Sequence, residues 1–453
     1  MAVALGFAGT HVITEDGHIV SFGTNNVGQL GSNTRNEVIN DAGHSSQTVH
    51  SCVLQPELVF GGADPAMIAC GHEHCVCLTD DGAVWTWGGS KHSQTGRVEP
   101  NNMQLAPVRL PNQTFGSSKV LMVACGQFFT MALTVAGEVW TCGKGDLGEL
   151  GNGVFENQSS MSRINPLLFD NDHITMIAAG FDHAMALGGS GKHLWTWGEN
   201  SYRCGLLGRT GTTDAEFAVP GRVAEDTFQG LSVVSMAGGD CTTLAVMNDG
   251  SVWGCGHNER GQLGLGEARD IQFLQRIGGE DIFGTGGVRM VSCERNCSII
   301  LSQRGQIWVC GHDFLAPLIV PDTHDFQNVG FICIASGVEH TALVTEHGRL
   351  YTMGRGFAGA LGHSRDDRFF AHVFHLPKVV PMALLQDERV GRWRQSDQDR
   401  ALGFAMASHM RLGETSGLQH TPNELVRVIY DAVCFEPSPH AGPGLRMLMG
   451  FDP

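Results

Sequence analysis

The 453-residue sequence predicts an all-β fold, a seven-bladed β-propeller of antiparallel sheets over residues 1–384, with a short C-terminal helical extension and tail over 385–453. Three observations carry this. A unit with a glycine turn and an aromatic step recurs seven times, at Gly17, Gly82, Gly137, Gly191, Gly250, Gly305 and Gly348. A second anchor sits eleven residues before each turn glycine: Gly6, Gly71, Gly126, Gly180, Gly239, Glu294 and Gly337. Glycine is abundant (61 residues) and charged residues are sparse (17%), which suits a repetitive, turn-rich fold.

Each unit reads as a hairpin. The stretch before the turn alternates small and apolar residues, as in Thr341-Ala342-Leu343-Val344, and suits a buried strand. An Asp-Gly or His-Gly pair reverses the chain because glycine accepts positive φ. A second strand carries an aromatic three residues past the glycine, at Trp85, Trp140, Trp253, Trp308 and Tyr351, with Trp195 one residue further out. Two strands cannot bury their faces alone, so the remaining strands are expected in the variable segments ending near LQPELV, LAPVRL and HLPKVV. The glycines of successive units lie between 43 residues (Gly305 to Gly348) and 65 residues (Gly17 to Gly82) apart. Radial stacking of such small sheets shields their edges and gives a propeller, closed by a late strand joining the first blade.

Composition excludes several classes. With 42% hydrophobic residues the chain is not disordered, and its glycines lack the collagen period. No apolar run reaches the ~18 residues of a membrane span. The start, MAVALGFAG, lacks the basic region of a signal peptide, so an intracellular protein, cytoplasmic or nuclear, with reduced cysteines is expected. The net charge of −17 disfavours nucleic acid as a partner, since phosphate binding needs a Lys/Arg footprint.

The succession GxxH-T-x-x-L-T-x-x-G, aromatic-x-Trp-Gly and N-x-x-G-Q-L-G resembles the regulator of chromosome condensation family over about residues 4 to 380, most fully in copies five and seven. Copy six departs: Glu294 stands for the anchor glycine, and Phe314-Leu315-Ala316-Pro317 for GQLG. The resemblance implies a protein-interaction scaffold that presents blade loops to a partner protein. As an alternative it implies guanine-nucleotide exchange on a Ran-like small GTPase, the activity of the founding member. In that case the loop Glu199, Asn200, Ser201, Tyr202, Arg203 and Cys204, two residues longer than the span Gly23 to Gly28, looks like the family's wedge. Asp182 stands where the exchange factor also has Asp, whereas the next unit has Cys241 there, beside Asp240. Family members that sense light carry Trp one residue after several anchors. Here those positions hold Phe7, His72, Gln127, Phe181, Asp240, Arg295 and Val338, so that activity is not expected. The chain also leaves no room for a ligase domain.

Other constellations read as structural. Cys70, Cys125 and Cys293 share one repeat position and Cys142, Cys255 and Cys310 another, and sister units place Ala, Ser, Phe, Trp or Met there, which indicates packing. His72, His74, Cys75 and Cys77 form the best zinc candidate, but thiol packing is the expectation and no metal site is assigned. His74, His183 and His340 each follow their glycine by three and are expected to bond a neighbouring turn rather than form a catalytic ring. Glu73, Asp182 and Glu339 precede them and would form an acidic mouth suited to a basic partner. No nucleophile elbow or phosphate loop occurs, so no catalytic residue and no cofactor are expected.

Beyond the repeats, Ser396 to Asp399 and Thr421-Pro422-Asn423-Glu424 read as capping boxes of two helices that pack on the propeller or dock a partner. Arg389, Arg392 and Arg394 surround Trp393, and Met447 and Met449 lie in the final tail.

Overall fold

The computed structural model describes residues 2–362 apart from 15–16, 36–50, 117, 190, 201–203, 212, 313, 321–329, 347 and 355–358. The C-terminal extension, with its capping boxes and arginine cluster, lies outside the described residues. Seven antiparallel sheets are arranged as blades, six with four strands and the seventh with three among the described residues. Within every blade the strands follow in chain order from the axis outward. The innermost strands are Ala2–Leu5, Pro65–Cys70, Val120–Cys125, Ile174–Ala179, Val233–Gly238, Val288–Cys293 and Phe331–Ser336.

The expected hairpin is the second and third strand of each blade. In blade two His74–Thr79 pairs with Val84–Gly89 around Gly82, whose φ of +84° a side-chain-bearing residue rarely adopts. All six residues of His74–Thr79 are buried, because a blade's middle strand is covered on both faces by its neighbours. The step aromatics meet phenylalanines from the segments joining blades. Phe60, Phe115, Phe169, Phe228 and Phe283 approach Trp85, Trp140, Trp195, Trp253 and Trp308 edge-on, with centroids 5.3–6.2 Å apart. Such pairs contribute about 0.5–1.5 kcal/mol each beyond their buried area.

Closure differs from the expectation. The first blade is complete with its own four strands from Ala2–Leu5 to Ser51–Leu54. The ring closes where Ala2–Leu5 lies beside Phe331–Ser336 and the loop ending at Gly362 packs on Phe22. Blade six also differs. Phe314 to Pro317 are not a degraded loop but the start of its fourth strand, Phe314–Ile319, which follows directly on Ile307–Gly311. The loop is shortened, and blade five's Gly261 and Gly264 pack on that strand at Phe314, Leu315 and Pro317.

The N-x-x-G-Q-L-G loop is a self-bonded device. Asn25 Oδ1 accepts from Leu30 N (3.0 Å) and Gln29 Oε1 from Val27 N (3.0 Å), and Asn258 and Gln262 repeat the pattern. Held this way, the loop aims one carbonyl at the next blade. Gln29 O receives Trp87 Nε1 (2.9 Å), Gln94 O receives Thr130 Oγ1 (2.7 Å), Glu149 O receives Trp197 Nε1 (2.9 Å) and Leu206 O receives Thr243 Oγ1 (2.7 Å). The last junction returns to the start: Thr10 Oγ1 donates to Ala360 O at 2.8 Å.

The repeat histidines complete these junctions. His74 Nε2 meets Thr130 Oγ1 (2.9 Å), His183 meets Thr243 (3.0 Å) and His340 meets Thr10 (3.2 Å). Their partner is therefore a threonine within the next blade's second strand, not a turn. That threonine gives its proton to the loop carbonyl, so Nε2 must carry hydrogen and the ring is neutral. Each ring also folds over its anchor glycine: a Cβ on Gly180 would stand 2.0 Å from His183 Cε1, and one on Gly71 2.3 Å from His74 Cε1. In blade six the small Cys297 takes the histidine position. The space admits Glu294, whose carboxylate accepts hydrogen bonds from Cys297 and from Thr341 of blade seven.

Burial holds His74 and His183 down at about 3 and His340 at about 4, against an ordinary 6.5. Below pH 6.5 the unfolded chain binds protons that these folded rings refuse, so their contribution to stability falls as pH drops toward 4. Denaturant unfolding at pH 7 and pH 5 should show that wild type loses about 2 kcal/mol more on acidification than His183→Gln. Equal losses would mean that His183 titrates alike in both states.

Candidate functional site

After the third strand of each of the first six blades the chain turns back to bond the residue just before the second strand. Gly89 N donates to Glu73 O, Glu199 N to Asp182 O and His257 N to Cys241 O, at 2.7–2.9 Å. This bond puts the anchor turns and the loop starts of the blades on one face. There the channel opens into a cavity walled by the anchors Gly6, Gly71, Gly126, Gly180, Gly239 and Gly337, with Cys70 and Cys125 beside them. The anchors approach one another so closely that a Cβ on Gly71 would meet Gly126 O at 2.4 Å, and one on Gly337 would meet Gly6 O at 2.5 Å. Ring closure thus imposes glycine at the mouth for a second reason.

The mouth has two halves. On blades one to four it is aromatic: Phe7 and His72 stack with centroids 4.0 Å apart, His72 leans on Phe128 at 5.4 Å and on Phe181 at 6.3 Å, and His92 meets Phe128 at 5.1 Å. Phe7 is 41% exposed. Burial lowers the pKa of His72, so its ring is neutral near neutral pH.

Blades four to seven supply acids. The acids feel one another: Asp182 and Glu339 raise Asp240, and Glu339 and Asp240 raise Glu294. Burial is the larger cause in each case, and it brings Asp240 to about 6 and Glu294 to about 7. Among the described residues, two cations stand with them. Lys144 Nζ bridges Asp182 Oδ1 (3.1 Å), Asp146 (3.1 Å) and the fully buried Glu149 (2.9 Å), while Arg295 Nε lies 3.6 Å from Asp240 Oδ2. Lys144 is held protonated by these carboxylates, and Glu149 depends on it, because an unpaired buried charge is costly.

The expected site residues are thus only partly gathered. Asp182, Asp240 and Glu339 share one half of the mouth with Glu199, which is buried at the loop start. Glu73 occupies the equivalent turn of blade two, on the aromatic side beside Lys91. Asn200 is half-buried next to Glu199, and Ser201, Tyr202 and Arg203 lie outside the described residues. Cys204 is buried with its sulfur toward Cys241 O. The zinc candidate does not assemble: His72 stacks on Phe7 and His74 turns to Thr130, away from Cys75 and Cys77. The thiols at the third-strand position pack as expected. Cys142 and Cys255 lie fully buried against the preceding loop carbonyls, and burial pushes Cys142 up to about 12. Phe128 was missed as a mouth residue. It holds Asp182's repeat position, two past its anchor, so the spacing would have found it.

A carboxyl-carbon titration by NMR should follow Asp240 with a midpoint near 6. Arg295→Ala should raise that midpoint, because a cation that stabilises the carboxylate is lost, and Asp182→Asn should lower it. A midpoint that neither variant moves would contradict the arrangement of charges.

A family profile described as RCC1-like domain matches residues 1–318. The ultraviolet-B receptor UVR8 of Arabidopsis thaliana is 31% identical over 320 residues, 71% of this chain and 66% of the receptor. The human RCC1-like G exchanging factor-like protein is 27% identical over 335 residues, covering 67% of this chain and 70% of that one. The human probable E3 ubiquitin-protein ligase HERC6 is 30% identical over 218 residues, only 20% of its length, so the chain spans from a fifth to about two thirds of such relatives. Among solved structures, human WBSCR16 superposes with a TM-score of 0.63 at 21% identity, covering 77% of this chain and 90% of that one. Prp20p of Saccharomyces cerevisiae, described with its binding to Gsp1p and histones, gives 0.62 at 20%, covering 78% and 84%. Repeat, propeller and profile agree, and the chain belongs to the RCC1-like domain family.

Proposed function

We propose that the chain is a protein-recognition propeller whose turn face holds a partner carrying a cationic segment beside an apolar or aromatic one. The bipartite mouth carries this reading. Among the described residues its acidic half sets Asp182, Asp240, Glu294, Glu339 and Glu199 with Lys144 and Arg295, more acids than bases. Its other half offers the aromatic faces of Phe7, Phe128 and the neutral His72. A net charge of −17 also steers basic partners toward the chain and speeds encounter. No helix among the described residues is long and apolar enough to cross a membrane. The test is quantitative capture of partners by wild type and by Asp182→Asn/Asp240→Asn/Glu339→Gln. Capture of proteins with basic segments should fall about tenfold or more, a loss of 1.4 kcal/mol. An unchanged set of partners would overturn the reading.

A second reading, guanine-nucleotide exchange on a Ran-like small GTPase, draws on one observation. The bond from Glu199 N to Asp182 O (2.9 Å) starts the extended loop beside Asp182 on the turn face. Its likeness to the human protein named as an exchanging-factor-like relative supports the same reading. Exchange would proceed by tighter binding to the nucleotide-free GTPase and not by covalent chemistry. Release of a fluorescent guanine nucleotide from a Ran-type GTPase should accelerate with wild type and return to baseline when residues 200–201 are deleted. No acceleration by wild type removes this reading and leaves the scaffold in place.

A further inference from the structure

The junction between blades one and two breaks the repeat at two positions, which converge with a third residue. His11 occupies a second-strand position that the other blades fill with Val76, Met131, Met185, Leu244, Ile299 and Ala342. All six are apolar, and an imidazole there is an exception. Cys75 stands where four sister blades place the threonine of the inter-blade junction, Thr10, Thr130, Thr243 and Thr341. Cys70 is its cross-strand partner at the end of the innermost strand. His11 and Cys75 are each 1% exposed, and Cys70 lines the channel cavity.

Their donor atoms meet. His11 Nε2 lies 3.3 Å from Cys75 Sγ, Cys75 Sγ lies 2.8 Å from Cys70 Sγ, and the three lie within 4.8 Å of one another. The far side of the imidazole is oriented too: His11 Nδ1 bonds Ser21 Oγ at 2.8 Å, its register partner on the third strand. With Nδ1 donating to that hydroxyl, Nε2 presents its lone pair to the sulfurs, the arrangement that orients metal-bound histidines. No such pairing of an imidazole with two thiols occurs at another junction among the described residues.

We propose that His11, Cys70 and Cys75 bind zinc(II), with the fourth coordination position open to the channel. Two thiolates and one imidazole are a soft donor set that suits this ion, and three protein ligands leave one place for water or a partner's donor group. Zn–S bonds of about 2.3 Å at a tetrahedral angle set two sulfurs about 3.8 Å apart, so the ion enters as Cys70 rotates outward into the cavity. The ion displaces the two thiol protons and replaces, at this junction, the imidazole–threonine bond that ties other blades together. Binding is independent of the partner-recognition reading above.

The test uses the full chain, reduced and held without oxygen. Titration with cobalt(II) should give thiolate-to-metal charge-transfer absorption that saturates at about one equivalent and disappears when zinc(II) is added. Zinc(II) should also raise the unfolding temperature. Cys70→Ser and His11→Asn should abolish both effects, and Cys333→Ser, in the seventh blade, should leave them intact. Cys70 is on the channel wall, so its serine variant carries the test if the His11 variant does not fold. The proposal is overturned if the reduced wild type gives no charge-transfer band, or if the band survives in Cys70→Ser. It is equally overturned if the two sulfurs are found joined as a disulfide and, once reduced, take up no metal.

Discussion

One carbonyl group per loop ties this ring together. At five junctions a blade holds its neighbour through a loop oxygen that points across, at Gln29, Gln94, Glu149, Leu206 and Ala360. The receiving group is a threonine hydroxyl or an indole N–H, and at three junctions a neutral histidine of the blade that gives the carbonyl bonds the same threonine. These contacts lie in a dry interior, where an unmet partner would cost about 1–3 kcal/mol. The loop sequence follows from that demand, since Asn and Gln side chains must hold the loop backbone while its carbonyl is donated outward. Where the pattern changes, the bond is rebuilt. Lys144 neutralises the buried Glu149 in blade three, Glu294 replaces histidine in blade six, and His11 with Cys75 replaces it at blades one and two.

The same junctions shape the turn face. A histidine that folds over its own anchor forces glycine at that anchor, and glycine lets adjacent anchors touch around the axis. The turns that follow are thereby brought together at the channel mouth. Residues in the two positions after each anchor carry little structural duty, so the blades differ there most: Phe7, His72 and Phe128 on one side, Asp182, Asp240 and Glu339 on the other. A conserved frame with variable turns is how one fold supports recognition of a particular partner.

Much of this was legible in the sequence because it depends on local geometry. Turn glycines such as Gly82 and Gly250 need positive φ, and the anchors recur at a fixed interval, so the hairpins and the seven blades could be read directly. The reason for the anchors was not legible, since it lies in the ring of His183 or His74 three residues on. Nor was the fit of Glu294, which needs the small Cys297. Phe60 and its counterparts were passed over although they precede their tryptophans by a regular interval, 25 residues from Phe60 to Trp85 and from Phe283 to Trp308. His11 was hidden for a different reason: its partners Cys70 and Cys75 belong to another blade, and only the ring's geometry joins them. The acidic mouth was foreseen in kind, but Glu73 faces the aromatic half, and Asp182 is already engaged by Lys144.

The central claim is that the turn face around the channel is the surface that recognises a protein partner. Amide hydrogen exchange of the full chain, alone and with a partner that it captures, tests this most directly. Added protection is expected in the turns that follow the anchors, above all residues 180–183, 239–242 and 337–340. Protection confined to the outermost strands, such as Met103–Arg109 and Ile271–Gly278, with unchanged turns would contradict it.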